Sequence, residues 1–180
     1  MTSKAHAGLV GRLLVATPEL ADTNFALAVV LVLEHAPEGA LGVVLNRSRG
    51  ISVDALMPEW HDRASPPGTL FNGGPVQPDE AVIALGAATD PAQPVLEGIG
   101  VVNLEHPPEQ QPEITAVRLF TGYAGWGPQQ LEDELAEGSW FVVEATPQDA
   151  LTRRPERLWR DVLLRQGGMF ATATPDPSQN

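Results

Sequence analysis

The sequence predicts an α+β protein of a single domain, and three observations lead there. Short Val- and Leu-rich runs bounded by Gly, Pro and Asn follow one another along most of the chain, as strands do. Helical patterns are confined to a few segments and do not alternate regularly with those runs, which argues against a doubly wound sheet. The 180 residues are even in composition, with no convincing linker. A chain of that size buries roughly 70% of its unfolded surface around one core and needs no staples.

Each element follows from local chemistry. Residues 1–7 and 171–180 read as disordered ends around a domain spanning 8–170. The second end, Ala-Thr-Ala-Thr-Pro-Asp-Pro-Ser-Gln-Asn, has too little apolar surface to offset its ordering entropy. Residues 11–16 form the first strand. Residues 18–24 have turn chemistry, with Asp22 and Asn24 suited to side-chain capping. Residues 25–34 are rich in Val and Leu and 41–46 are another apolar strand; Pro37-Glu38-Gly39 between them makes a hairpin. Residues 52–59 predict a short helix capped by Ser52, with Pro58 close to its end. After the loop Ser65-Pro66-Pro67-Gly68, residues 69–71, 81–85, 99–104, 116–120 and 140–145 complete the strands.

Two helices are clearer. Residues 128–137 have Pro128 at the first helical position and Gly138 past the end. Glu132, Asp133 and Glu134 lie early in that helix, where negative charge complements the macrodipole. Residues 155–166 put Leu158, Trp159, Val162 and Leu163 on one apolar face and stop at Gly167-Gly168.

Composition excludes whole classes of chemistry. There is no cysteine, so disulfides, zinc–thiolate sites, iron–sulfur clusters and Cys nucleophiles are out. Doing without disulfides suits a reducing cytosol, and a cytoplasmic location is expected. Eleven basic residues face 23 acidic ones, a formal charge of -12. Such a field repels phosphates over a Debye length of roughly 10 Å, which disfavours direct DNA binding and anionic membrane surfaces. The N-terminal residues lack a signal-peptide core because Arg12 breaks the apolar stretch. The apolar run 25–33 is far shorter than the roughly 20 residues of a spanning helix, so no membrane span is expected.

Four blocks carry a family likeness. The first is Gly11-Arg12-Leu13-Leu14-Val15-Ala16-Thr17-Pro18-Glu19-Leu20 with Asp22 and Phe25. The second is Val32-Leu33-Glu34-His35 followed by Gly39-Ala40-Leu41-Gly42-Val43-Val44-Leu45-Asn46-Arg47. The third is Asn72-Gly73-Gly74-Pro75-Val76. The last is Gly122-Tyr123-Ala124-Gly125-Trp126, then Gln130-Leu131-Glu132 and Trp140. In this order they resemble the bacterial YqgE/AlgH family from Gly11 to about Gly168. The resemblance implies a mixed fold with a strongly bent, barrel-like β-sheet and a few flanking helices. It implies no mechanism. The AlgH name suggests transcriptional regulation, but no DNA-binding motif accompanies it.

Candidate chemistry is sparse. There is no GxxxxGK[ST] loop, no GxGxxG opening a helix, no HExxH and no GxSxG elbow. No cofactor and no metal is expected. Gly73-Gly74-Pro75 reads first as a tight turn needing positive φ, and second as bare backbone for a ligand. The segment Gly122-Tyr123-Ala124-Gly125-Trp126-Gly127 reads first as a structural loop with Trp126 packing over the sheet. Its second reading is a groove for a small molecule or peptide, lined by Tyr123 and Trp126. Glu34-His35 and Glu105-His106 both follow Val-rich runs and precede prolines. If their strands were neighbours, a metal site would result; otherwise His35 hydrogen-bonds the hairpin. Arg153, Arg154, Arg157, Arg160 and Arg165 cluster near the last helix. They read as a solvated face, or as a docking patch for an acidic partner or RNA.

Two functions are carried forward. The leading one is a non-catalytic regulatory or protein-interaction domain, with an exposed apolar or aromatic patch near Trp126 and another protein as partner; the oligomeric state stays open. The alternative is a small-molecule-binding protein or enzyme, its site between the Asn72-Gly73-Gly74 turn and the 123–126 loop. Glu34, His35, Asn46, Arg47 and Arg118 are the polar residues expected there, beside Tyr123 and Trp126.

Overall fold

Leu13 and Val15 point to one face of the first strand, Leu14 and Ala16 to the other, and all four are fully buried. A strand apolar on both faces needs cover on both, and the architecture supplies it. The computed structural model describes residues 8–20 and 22–167. Within them the strands are β1 (Arg12–Ala16), β2 (Val29–Ala36), β3 (Gly39–Val44), β4 (Ser48–Ser52), β5 (Thr69–Asn72) and β6 (Val82–Ala87), then β7 (Pro94–Leu96), β8 (Ile99–Val101), β9 (Ala116–Thr121), β10 (Ala124–Trp126) and β11 (Trp140–Glu144). The α-helices are α1 (Gln130–Ala136), α2 (Pro147–Ala150) and α3 (Leu158–Gln166). The expected disordered ends lie outside the described residues.

The strands divide into two sheets. The first has the order β10-β3-β2-β1-β11 and the second β4-β5-β9-β6-β8-β7. Every pairing is antiparallel except β5 with β9, where Phe71 faces Phe120. The α+β class therefore holds; the sheets keep free edges and do not close into a barrel. Leu13, Leu31 and Val43 of the first sheet share one core with Phe71, Leu85 and Phe120 of the second. Leu158, Trp159, Val162 and Leu163, the apolar face read from the sequence, seal the same core from α3. Each such side chain, fully buried, contributes about 1.5–3 kcal/mol. The outer face of the first sheet is covered by α1, through Leu131. The outer face of the second is covered by 3₁₀ turns carrying Val53 and Trp60.

Several boundaries differ from expectation for local reasons. Residues 25–28 do not join β2, because Phe25 and Ala26 donate to the Asp22 carbonyl and Leu27 sits at φ 58°. Residues 52–59 form two 3₁₀ turns, Val53–Ala55 and Pro58–Arg63, rather than one helix. Ser52 does cap the first, accepting from the Asp54 N–H at 3.2 Å, but Pro58 opens the second rather than ending anything. α1 starts two residues late because Gln129 adopts φ 67°. β4 and β10 fall where loop was expected. β4 reads Ser-Arg-Gly-Ile-Ser and is exposed throughout; its neighbour β5, not its own propensity, makes it a strand. No helix among the described residues is long and apolar enough to cross a membrane.

Candidate functional site

The glycine motifs meet by backbone. Gly73 N–H donates to the Thr121 carbonyl at 2.9 Å, and Val44 N–H donates to the Gly73 carbonyl at 2.8 Å. Val76 and Tyr123 exchange hydrogen bonds of 3.0 and 3.1 Å. A Cβ on Gly73 would stand 2.4 Å from the Gly122 oxygen, and one on Gly74 2.2 Å from the Tyr123 carbonyl carbon. No other residue permits that approach, and Gly74 also holds φ 151°. Asn72 secures the turn by accepting from the Gly74 N–H at 3.1 Å. The two segments thus touch directly, and backbone fills the space between them.

Asn46 and Arg47, in the turn between β3 and β4, hold the loop before β2. Asn46 Oδ1 accepts from Val29 N–H at 3.0 Å and its Nδ2 donates to the Leu27 carbonyl at 2.9 Å. Arg47 donates to the Asn24 carbonyl through Nη1 and to the Ala26 carbonyl at 2.8 Å through Nη2. Burial lowers the Arg47 pKa from its ordinary value, and Asp22 partly offsets this. The Arg47 carbonyl accepts from Asn72 N–H at 2.8 Å. Asn46, Arg47, Asn72, Gly73, Gly74 and Tyr123 therefore form one continuous seam.

His35 and Trp126 belong to a second place, under α1. In β2 the register shifts between Val32 and Glu34, which pair with Gly42 and Leu41. Leu33 is thus an extra residue, and everything after it changes face. His35 then points with Val30 and Val32 toward α1, where its Nε2 lies 2.8 Å from Glu132 Oε2. Trp126 stacks on Phe25 and meets Trp140 edge-on, with centroids 6.2 Å apart in both pairs. Both indole N–H groups donate to Glu134 Oε1, at 3.0 Å from Trp126 and 2.9 Å from Trp140. Trp126 is 5% exposed, so the aromatic surface expected beside it is buried. Sequence reasoning placed Glu132 and Glu134 only as complements to the helix dipole; two tryptophans flanking an acidic helix were the signal of their further role.

Glu34 and Arg118 stand apart from both places. Glu34 is exposed and lines a shallow cavity with Leu33, Leu41, Ile83 and Val95. Arg118 is 2% exposed, on β9. It donates to the Thr152 carbonyl at 2.7 Å and the Pro66 carbonyl at 2.6 Å, and its guanidinium lies 4.3 Å from the Phe71 ring centroid. No carboxylate pairs with it among the described residues. Burial lowers its pKa to about 10. The Glu34-His35 and Glu105-His106 echo does not converge, because β2 and β8 lie in different sheets. Among the described residues no three His, Asp or Glu side chains group as a metal site.

The model of the AlgH-like family matches residues 13–171. The chain belongs to that family. This AlgH-like chain is 52% identical over 186 residues to a UPF0301 protein of Streptomyces coelicolor, covering 97% of the chain and 96% of the relative. A UPF0301 protein of Thermobifida fusca is 40% identical over 190 residues, covering 96% of each. Two solved structures share the fold. The crystal structure of protein DIP2367 from Corynebacterium diphtheriae superposes with a TM-score of 0.84 at 31% identity, covering 89% of this chain and 88% of that one. The solution structure of the AlgH protein from Pseudomonas aeruginosa gives 0.69 at 29% identity, covering 89% of each.

Proposed function

We propose that this AlgH-like chain is a non-catalytic interaction domain that acts by binding another protein. The observation that carries the reading is how the polar residues of the family motifs are used. Asn46, Arg47 and Asn72 bond to nearby backbone. His35 meets the helix carboxylate of Glu132, and Trp126 that of Glu134. Side chains so engaged hold loops and helices in place; a nucleophile or general base must instead reach a substrate. The partner surface we assign is the outer edge of the second sheet, at β4 and the turn after it. Ile51 and Leu56 are 42% and 44% exposed there. Direct DNA contact forms no part of the proposal, since a charge of -12 opposes it.

The test pairs Ile51→Glu with Leu56→Glu in one chain and compares it with the unaltered protein. Cross-linked partners are recovered from an extract of a bacterium that carries the gene, and quantified. The reading expects at least one protein to fall more than tenfold in the double variant while the melting temperature stays unchanged. Equal recovery of every protein by both chains overturns it.

A further inference from the structure

The arginine cluster near α3 is the feature that the interaction reading leaves unused. Arg165 is committed: both its terminal nitrogens lie 2.9 Å from the Asp149 carboxylate. Arg153 and Arg154 are exposed and have no carboxylate within ion-pair distance among the described residues. Acids outnumber bases by 23 to 11 in this chain, so two adjacent arginines without one are conspicuous. Both line a groove of about 570 Å³ between the end of α2, the start of α3 and the loop at Ser65. That volume lies within the roughly 300–1,000 Å³ of small-molecule sites.

The chemistry of the walls is divided. Ala87, Pro147 and Leu151 form an apolar side. Ser65, Gln148 and Thr152 add hydroxyl and amide groups to the same lining. Directly behind Thr152 lies Arg118, which donates to that residue's carbonyl and keeps an Nε–H without a partner. Among the described residues no carboxylate cancels this buried charge, so its field reaches the groove through a low-dielectric wall. Arg118 thus also fixes the floor, since it ties Thr152 to Pro66.

We propose that this groove binds a small organic oxyanion, its carboxylate or phosphate head on Arg153 and Arg154 and its apolar body on Ala87, Pro147 and Leu151. Planar guanidinium forks suit such heads. An acidic peptide or RNA segment suits the groove less well. Each further negative charge on a long ligand meets the repulsion of a protein at -12, whereas a small ligand carries one head onto this locally positive wall. Asp161 lines the same groove and limits the charge that the site accepts.

The experiment titrates the full chain with phenyl phosphate, phenylacetate, inorganic phosphate and hexaglutamate in low salt. Amide and arginine side-chain NMR signals report where each binds. The proposal expects saturable shifts at Gln148, Thr152, Arg153 and Arg154 with phenyl phosphate or phenylacetate. Whichever of the two binds identifies the head group. Arg153→Ala with Arg154→Ala should weaken that binding at least tenfold, and Asp161→Asn should tighten it severalfold. No saturable shift at these residues with either phenyl compound overturns the proposal, as does unchanged affinity in the double arginine variant. Inorganic phosphate binding as tightly as phenyl phosphate overturns the role of the apolar wall. Hexaglutamate binding more tightly than both phenyl compounds overturns it in favour of an acidic protein segment.

Discussion

The cover of the first sheet and the groove beside the second treat charge in opposite ways. Under α1, Glu134 accepts from two indoles and Glu132 meets His35. Behind the groove, Arg118 is buried without a carboxylate among the described residues, and Arg153 and Arg154 on its wall face solvent without one among them. A carboxylate that satisfies buried donors secures a fold, because losing it leaves those donors unpaired. Arg118 still ties Thr152 to Pro66, but an exposed guanidinium such as that of Arg153 or Arg154 secures little in the empty protein. The first region should therefore answer to substitution in stability, and the second in binding.

The largest effect is expected at Trp126. Trp126→Ala removes the ring that joins Phe25, Trp140 and Glu134. It should cost about 3–5 kcal/mol, lowering the melting temperature by roughly 6–20 °C for a chain of this size. Calorimetry measures it, and a loss below about 1 kcal/mol would mean that α1 is a loose cover.

Next comes Glu134→Ala, which strands two indole donors and should cost about 2 kcal/mol. Glu134→Gln keeps an acceptor oxygen and should recover most of that in urea unfolding. Equal losses in both would show that charge, not hydrogen bonding, holds the helix.

Arg118 sharpens the contrast through pH. Its pKa is lowered to about 10 in the folded chain, by burial, well below the ordinary guanidinium value that it has when unfolded. Between those values the unfolded chain binds more protons, so stability rises with pH. The cost of burying the charge is present below pH 10 and is relieved above it. Wild type should gain stability relative to Arg118→Met as pH rises from 9 to 11.5, read from urea midpoints. A constant difference would mean that the guanidinium is better solvated than its burial implies.

The smallest effect belongs to Arg153→Ala and Arg154→Ala. With no ion-pair partner to lose among the described residues, each should change stability by less than about 0.5 kcal/mol. A larger loss would place these arginines with the architecture and erase the contrast.

Much of the fold was legible because its signals are local. The runs 11–16, 25–34 and 41–46 are apolar on both faces, and the turn at Pro37-Glu38 joins β2 to β3. The apolar face of residues 155–166 is the one α3 buries. Less of the candidate site was legible. Strict alternation places His35 with Leu31, facing the second sheet. The single extra residue at Leu33 turns it toward Glu132 instead. Trp126 carried no mark distinguishing an exposed aromatic from a buried one, because the difference lies in Phe25, Trp140 and Glu134.

Residue chemistry alone thus determined the class of fold, the family, the exclusion of thiol chemistry and the net charge that opposes polyanions. Each depends on composition, on short periodic patterns or on motif order, which need no knowledge of distant neighbours. Tertiary structure decided which glycines are seams, which way His35 faces and which arginines meet backbone rather than carboxylates among the described residues. Those are questions of contact across many residues, such as Gly73 against Gly122 or Arg118 against Thr152. One bulge or one sheet pairing changes the answer without changing any local pattern.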